Sequence, residues 1–149
     1  MGKLNFSIVI NASKEKVWNT MLEDKTYRIW TEAFAEGSYY KGTWSKDTKI
    51  LFLGPGKDGK IGGMVSRIKE NKLHEYISIE HLGEVNDGVE DTTSDRVKDW
   101  AGALENYTFI DKNNKTEVLV DLDINEEFKE MFEGTWPKAL QKLKSICEE

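Results

Sequence analysis

The chain has 149 residues, of which 38% are apolar and 32% are charged, with two prolines and one cysteine. This length predicts a single domain over residues 1–149, with enough buried surface to fold without disulfides or metals. The composition excludes a largely disordered or collagen-like chain, and no apolar run approaches the ~18 residues of a membrane span. Because the N-terminus has no apolar secretion signal and the lone cysteine cannot pair within the chain, we expect a cytoplasmic protein without membrane insertion.

The net charge of −6 is distributed unevenly, with +4 on residues 1–75 and −10 on residues 76–149. Proteins that bind nucleic acids neutralise phosphates with a basic patch, so the acidic second half predicts no nucleic-acid partner. Acidic residues are dense between residues 84 and 99. We interpret this segment as a solvated loop, and the alternative is a docking patch for a protein partner.

The first thirty residues show a strand pattern followed by two helix patterns. Apolar residues alternate from Lys3 to Asn11, which predicts a half-buried strand. Ser13 is suited to cap the next helix, because its hydroxyl can accept a hydrogen bond from a free backbone N–H. Asp24 is predicted to cap a second, short helix that carries Tyr27 and Trp30.

Six further strands are predicted where alternating segments are separated by turn-forming residues. They are Ser38–Trp44, Lys49–Leu53, Ile61–Ile68, His74–Leu82, Ala103–Ile110 and Thr116–Ile124. Residues 89–100 are polar and irregular, with room for one helical turn before Trp100. Consecutive strands with short connections favour an antiparallel sheet.

The last segment changes its period, because apolar residues recur every three or four positions from Phe128 to Cys147. This spacing predicts an amphipathic helix of about twenty residues. Asn125 or Asp123 can cap it, and Pro137 predicts a kink near Gly134. No other predicted element is large enough to cover the apolar face of the sheet, so we predict an α+β fold closed by this helix.

Two motif-like patterns do not predict a cofactor. A G-x-G-x-x-G sequence begins at Gly54, but a strand pattern follows it instead of the helix that a dinucleotide site requires, so it predicts a hairpin loop. The start of a calcium loop is present at Asp121, but Glu126 occupies the position that needs glycine. No Cys, His and Asp residues have the spacing of metal ligands. We therefore predict neither a metal site nor a cofactor.

The order of these elements resembles the helix-grip superfamily of birch-pollen-allergen and START-related proteins (SRPBCC). More narrowly, the chain is similar to homologues of the C-terminal domain of the activator of the ninety-kilodalton heat-shock protein ATPase. The motifs that carry the resemblance are Ile10–Trp18, Tyr27 with Trp30, Gly42–Trp44, Ile79–Gly83, and Trp136–Leu140 with Leu143 and Lys144.

This resemblance implies a curved seven-stranded antiparallel sheet wrapped around the long C-terminal helix. Two short helices follow the first strand, and a cavity lies between sheet and helix. The resemblance implies no single activity, because the superfamily includes lipid and hormone carriers, aromatic cyclases and co-chaperone modules.

Aromatic residues make up 11% of the chain and suit an apolar pocket in which a few polar groups orient a ligand. His81 alternates with Ile77 and Ile79, so it is predicted to face the interior, where it can bond a ligand or transfer a proton. The alternatives are that the aromatic rings fill the core and that a neighbouring group satisfies His81. The candidate ligand-binding residues are Trp30, Trp44, Phe52, His81, Trp100, Phe132 and Trp136.

These features favour a non-enzymatic protein that binds a small hydrophobic or aromatic molecule between the sheet and the C-terminal helix. We assign no catalytic residue, because no Ser-His-Asp or Cys-His arrangement can be placed by spacing. One alternative is an enzyme of the cyclase or dehydratase type that uses the same cavity with His81. The other is a co-chaperone-like module that activates a heat-shock protein ATPase and contacts a protein partner through residues 84–99.

Overall fold

The computed structural model describes all residues from Met1 to Glu149. The chain forms eight strands, four α-helices and a 3-10 helix at Thr31–Ala33. In chain order they are β1 (Gly2–Ile10), α1 (Lys14–Leu22), α2 (Asp24–Trp30), β2 (Tyr39–Gly42), β3 (Lys49–Pro55), β4 (Ile61–Lys72), β5 (Tyr76–Asn86), β6 (Val89–Asp91), α3 (Asp95–Lys98), β7 (Ala103–Lys112), β8 (Lys115–Ile124) and α4 (Glu126–Cys147).

The strands form one antiparallel sheet in the order β1-β8-β7-β5-β4-β3-β2, and β6 pairs with the end of β5. The seven predicted strands are all present, and β6 is an eighth that the sequence pattern did not reveal. β6 has three residues and no apolar alternation, so only its pairing with β5 defines it. Gly83 permits this pairing, because a Cβ there would lie 2.2 Å from the Asp91 carbonyl oxygen.

The capping predictions for the first two helices have different outcomes. Ser13 caps α1 as predicted, since its Oγ accepts a hydrogen bond from the backbone N–H of Lys16 at 3.2 Å. The prediction for Asp24 is wrong, because Glu23 occupies the cap position and Asp24 is the first helical residue. Only Glu23 separates α1 from α2, and Asp24 instead pairs with Arg28 one turn later.

The turns follow the local chemistry of the chain. The G-x-G-x-x-G segment forms the predicted hairpin loop between β3 and β4, with Gly59 at a φ of +80°. Asn113 and Asn114 have φ values of +51° and +72° and form the two-residue turn between β7 and β8, a conformation that asparagine tolerates. The predicted helical turn before Trp100 is α3.

Helix α4 packs across the concave face of the sheet. Asn125 is its N-cap residue, and the helix continues through Pro137 without interruption, so the proline does not end it. The bend near Gly134 stays a prediction. No helix combines the length and the apolar character that crossing a bilayer requires. The main core lies between α1, α4 and the concave face and includes Ile10, Val17, Met21, Ile77, Val118, Val120, Leu140 and Leu143.

Candidate ligand cavity

A cavity lies beneath the first turns of α4, between this helix, the end of α2 and the strands β3, β4, β5, β7 and β8 of the sheet. Its volume is about 580 Å³, and it is partly open to solvent. Pockets that take small molecules span roughly 300–1,000 Å³. The cavity is therefore large enough to hold a small organic molecule.

The first turns of α4 do not fill this space. No residue of the helix before Trp136 is buried, and Phe128 and Met131 are 43% and 55% exposed at the mouth. Helix α4 is therefore packed into the core from Trp136 onward, and an open cavity lies beneath its first turns.

One wall consists of aromatic rings in mutual contact. The Phe34 and Trp136 ring centroids lie 4.9 Å apart, and the Trp30 and Trp136 centroids lie 6.0 Å apart. Trp30 is buried and donates a hydrogen bond from Nε1 to the Met21 carbonyl at 3.0 Å. Edge and offset contacts of this kind fix ring positions, so this wall is preorganised.

A polar cluster lies next to the aromatic rings, and we define it as Ser66, His81, Glu105 and Tyr107; all of its members except Ser66 line the cavity. His81 Nδ1 lies 2.7 Å from Ser66 Oγ, and His81 Nε2 lies 3.0 Å from Glu105 Oε1. The Tyr107 hydroxyl donates to Glu105 Oε2. In the neutral imidazole, Nε2–H donates to the carboxylate while Nδ1 accepts from the serine, so both ring nitrogens are satisfied.

Burial raises the pKa of the Tyr107 phenol well above its ordinary value, and the neighbouring Glu105 carboxylate raises it further. Burial likewise raises the pKa of Tyr27, which also lines the cavity. Both phenols are therefore neutral hydrogen-bond donors at physiological pH.

A β-bulge in β5 brings the side chains of His81 and Glu84 to the same face of the sheet. Ser66 pairs with His81 while Val65 pairs with Gly83, which leaves Leu82 as the extra residue on β5. The extra residue shifts by one position the alternation of side chains between the two faces of β5. Both His81 and Glu84 therefore line the cavity, although they are three residues apart.

Six of the seven candidate residues line the cavity, namely Trp30, Phe52, His81, Trp100, Phe132 and Trp136. Trp44 is outside the lining. The backbone leaves β2 after Gly42, and Trp44 Nε1 donates to the Leu22 carbonyl at 2.9 Å while the ring packs against Tyr40 and Phe52. That these residues bind a ligand stays a prediction.

Sequence reasoning missed the other three residues of the polar cluster, Ser66, Glu105 and Tyr107. Glu105 and Tyr107 lie on one face of β7 by alternation, but the sequence does not say which face is buried. The register decides it, because Glu105 pairs with Ile79 and Tyr107 pairs with Ile77, which are both core residues.

The acidic segment 84–99 is more structured than a solvated loop. Glu84 pairs with Arg96, and Glu90 pairs with Lys49. Asp91 accepts hydrogen bonds from the backbone N–H groups of Ser94 and Thr93, which lower the pKa of its carboxyl. Three of its acids therefore have internal roles, and a protein partner for this segment stays a prediction.

The calcium-like sequence forms part of β8 and the cap of α4. Asp121 accepts a hydrogen bond from Asn106 Nδ2 at 2.9 Å, and Asp123 pairs with Lys3 at 2.9 Å. No group of three or more His, Cys, Asp and Glu side chains in the chain is arranged to hold a metal ion.

No family model and no curated protein matches the sequence, but solved structures match the fold along almost the whole chain. The Aha1 dimer from Colwellia psychrerythraea superposes with a TM-score of 0.74 at 18% identity, covering 99% of this chain and 97% of that one. Protein CV1439 from Chromobacterium violaceum gives 0.69 at 17% identity, covering 100% and 99%. Protein NE0264 from Nitrosomonas europaea gives 0.72 at 8% identity, covering 97% and 93%. The chain therefore shares its fold with these proteins, and this fold is the helix-grip arrangement that its sequence motifs predict.

Proposed function

We propose that this protein binds a small hydrophobic or aromatic molecule in the cavity beneath α4. The observation that carries the proposal is the unfilled volume of about 580 Å³, which is lined by aromatic rings and by three members of the polar cluster. Transfer of apolar ligand surface from water would drive binding by roughly 25 cal/mol per Å², before the costs of immobilising the ligand. The polar cluster would fix the orientation of the ligand.

The first experiment is a fluorescence titration with the neutral apolar dye N-phenyl-1-naphthylamine. We expect saturable binding with an increase in dye fluorescence, because the cavity shields the dye from water. Native mass spectrometry of the purified protein against lipids and aromatic metabolites then searches for the natural ligand. Absence of dye binding and of any retained or added ligand would contradict the proposal.

A pair of variants locates the binding site. Met64 lines the cavity, so Met64→Trp fills part of it. We expect dye affinity to fall by about tenfold or more, since inserting bulk into an occupied site costs ~1–3 kcal/mol. Leu73→Trp is the matched control, because Leu73 is 68% exposed in the turn before β5. Circular dichroism checks that both variants are folded, and equal affinities would place the dye elsewhere.

The polar cluster supports a second candidate, an enzyme of the cyclase or dehydratase type. The Glu105 carboxylate orients the His81 ring at 3.0 Å, and an oriented imidazole in a cavity is suited to general acid–base chemistry. On a ligand found by mass spectrometry, His81→Gln should abolish turnover and retain binding. His74→Gln is the control, because His74 lies against Trp18, away from the cavity. Equal turnover in the two variants would contradict catalysis by His81.

A further inference from the structure

We propose that the cavity selects organic cations, namely amines or quaternary ammonium compounds with an apolar or aromatic body. This inference rests on the proposed function, because it names the chemical class of the molecule that the cavity binds. Two independent features carry it, the placement of one carboxylate and the placement of the aromatic rings around it.

The lining contains three carboxylates, and they differ in their partners. Glu84 pairs with Arg96, and Asp123 pairs with Lys3 at the edge strand β1. Glu105 contacts only the imidazole of His81 and the phenol of Tyr107. The Glu105 side chain is thus the carboxylate of the lining without a Lys or Arg partner.

Glu105 is positioned to contact a ligand. Its side chain is 20% exposed, and it belongs to the cavity lining. A carboxylate offers about four lone-pair sites, of which the hydrogen bonds to His81 and Tyr107 occupy two. A carboxylate in apolar surroundings is stabilised by a nearby cation, and the cavity leaves room for one.

The lining holds little positive charge that could replace that cation. Its one Lys or Arg side chain is Lys60, which is exposed in the β3–β4 loop. The amino terminus at Met1 is exposed as well, and its charge acts on Asp123. A fatty acid or another anionic ligand would therefore place its charge against Glu105 without a buried counter-charge.

Each of the two residues that contact the carboxylate is packed against an aromatic ring. The Phe52 ring lies 6.2 Å from the His81 ring, and the Trp136 ring lies 6.0 Å from the Tyr107 ring. Since Phe52, Trp136 and Glu105 all line the same cavity, a ligand whose ammonium group lies at this carboxylate has aromatic rings close by. Aromatic faces attract ammonium groups through the ring quadrupole, so both features favour the same ligand class.

The test uses three probes of one size, which compete with N-phenyl-1-naphthylamine near neutral pH. They are benzyltrimethylammonium, its uncharged carbon isostere neopentylbenzene, and phenylacetate. We expect the cation to bind about tenfold more tightly than the isostere, as a desolvated cation–π contact and the Coulombic attraction to the Glu105 carboxylate together allow. Phenylacetate should bind most weakly.

Glu105→Gln should abolish the preference for the cation, because the amide has nearly the same shape and can still accept one of the two hydrogen bonds but carries no charge. Glu80→Gln is the matched control, since Glu80 is on β5 beside His81 but pairs with Arg67 outside the cavity. It should retain the preference. A preference that survives Glu105→Gln would overturn the inference.

The outcomes separate this inference from the proposed function. If the dye binds and the cation and isostere compete equally, the cation inference is wrong and the proposed function stands. If neither the dye nor any probe binds, both are wrong. The comparison of cation and isostere in the unaltered protein decides the inference even when Glu105→Gln does not fold.

Discussion

The two halves of α4 have the same spacing of apolar residues but meet different surroundings. In the C-terminal half, Ala139, Leu140 and Leu143 are buried against the main core with α1 and β1. In the N-terminal half, Phe128 and Met131 are 43% and 55% exposed, and they lie at the mouth of the cavity instead of in the core. An amphipathic pattern therefore identifies the inward face of a helix, but it does not tell whether that face is packed or lines a cavity.

The largest expected effect comes from truncating one side chain in each half. Leu143 is fully buried, so Leu143→Ala should lower the free energy of unfolding by about 2–5 kcal/mol through lost burial and a residual cavity. Met131→Ala should lower it by about 0.5 kcal/mol or less, as for an exposed position. Urea denaturation measures both. Equal losses would show that the N-terminal half of α4 is packed as tightly as the C-terminal half.

An intermediate effect is expected at alkaline pH from Tyr27 and Tyr107, which belong to the core and also line the cavity. Burial raises the pKa of both phenols. Below pH ~10 both are neutral in the folded and unfolded states; above it only the unfolded state releases their protons. Stability should then fall by about 1.4 kcal/mol per pH unit for each tyrosine until its raised pKa is reached. Urea midpoints from pH 9 to 11.5 test this, and a slope unchanged in Tyr27→Phe would contradict it.

The smallest expected effect is a gain in stability in the loosely packed half of α4. Gly134 is inside the helix, and a Cβ there would meet no atom within 4 Å. Gly134→Ala should therefore raise the free energy of unfolding by about 0.5–1 kcal/mol, because alanine loses less backbone entropy in a helix. Thermal unfolding monitored by circular dichroism measures the gain. A loss would indicate that glycine at this position serves the geometry around Pro137.

Much of the fold could be predicted because its signals are local. The alternation in β1, the cap at Ser13 and the period of α4 each depend on residues within a few positions of one another. The predictions failed where a distant segment decides the outcome. β6 forms because β5 extends far enough to pair with it. Trp44 lies outside the cavity lining because the backbone turns away after Gly42.

The candidate site shows the same division at the level of single residues. Alternation predicts that His81 shares a face with Ile77 and Ile79, and the structure places it there. Alternation also groups Glu105 with Tyr107, but both faces of β7 are consistent with the sequence. Only the pairing of β7 with β5 brings Glu105 to His81.

The sequence by itself determined the order of strands and helices, the helix-grip fold and the aromatic character of the space beneath α4. The tertiary structure alone decided that this space is hollow and that one carboxylate lies in it beside an imidazole. The physical reason is that secondary structure follows from short-range periodicity and capping. A cavity depends instead on the distance between surfaces whose residues are far apart in the chain.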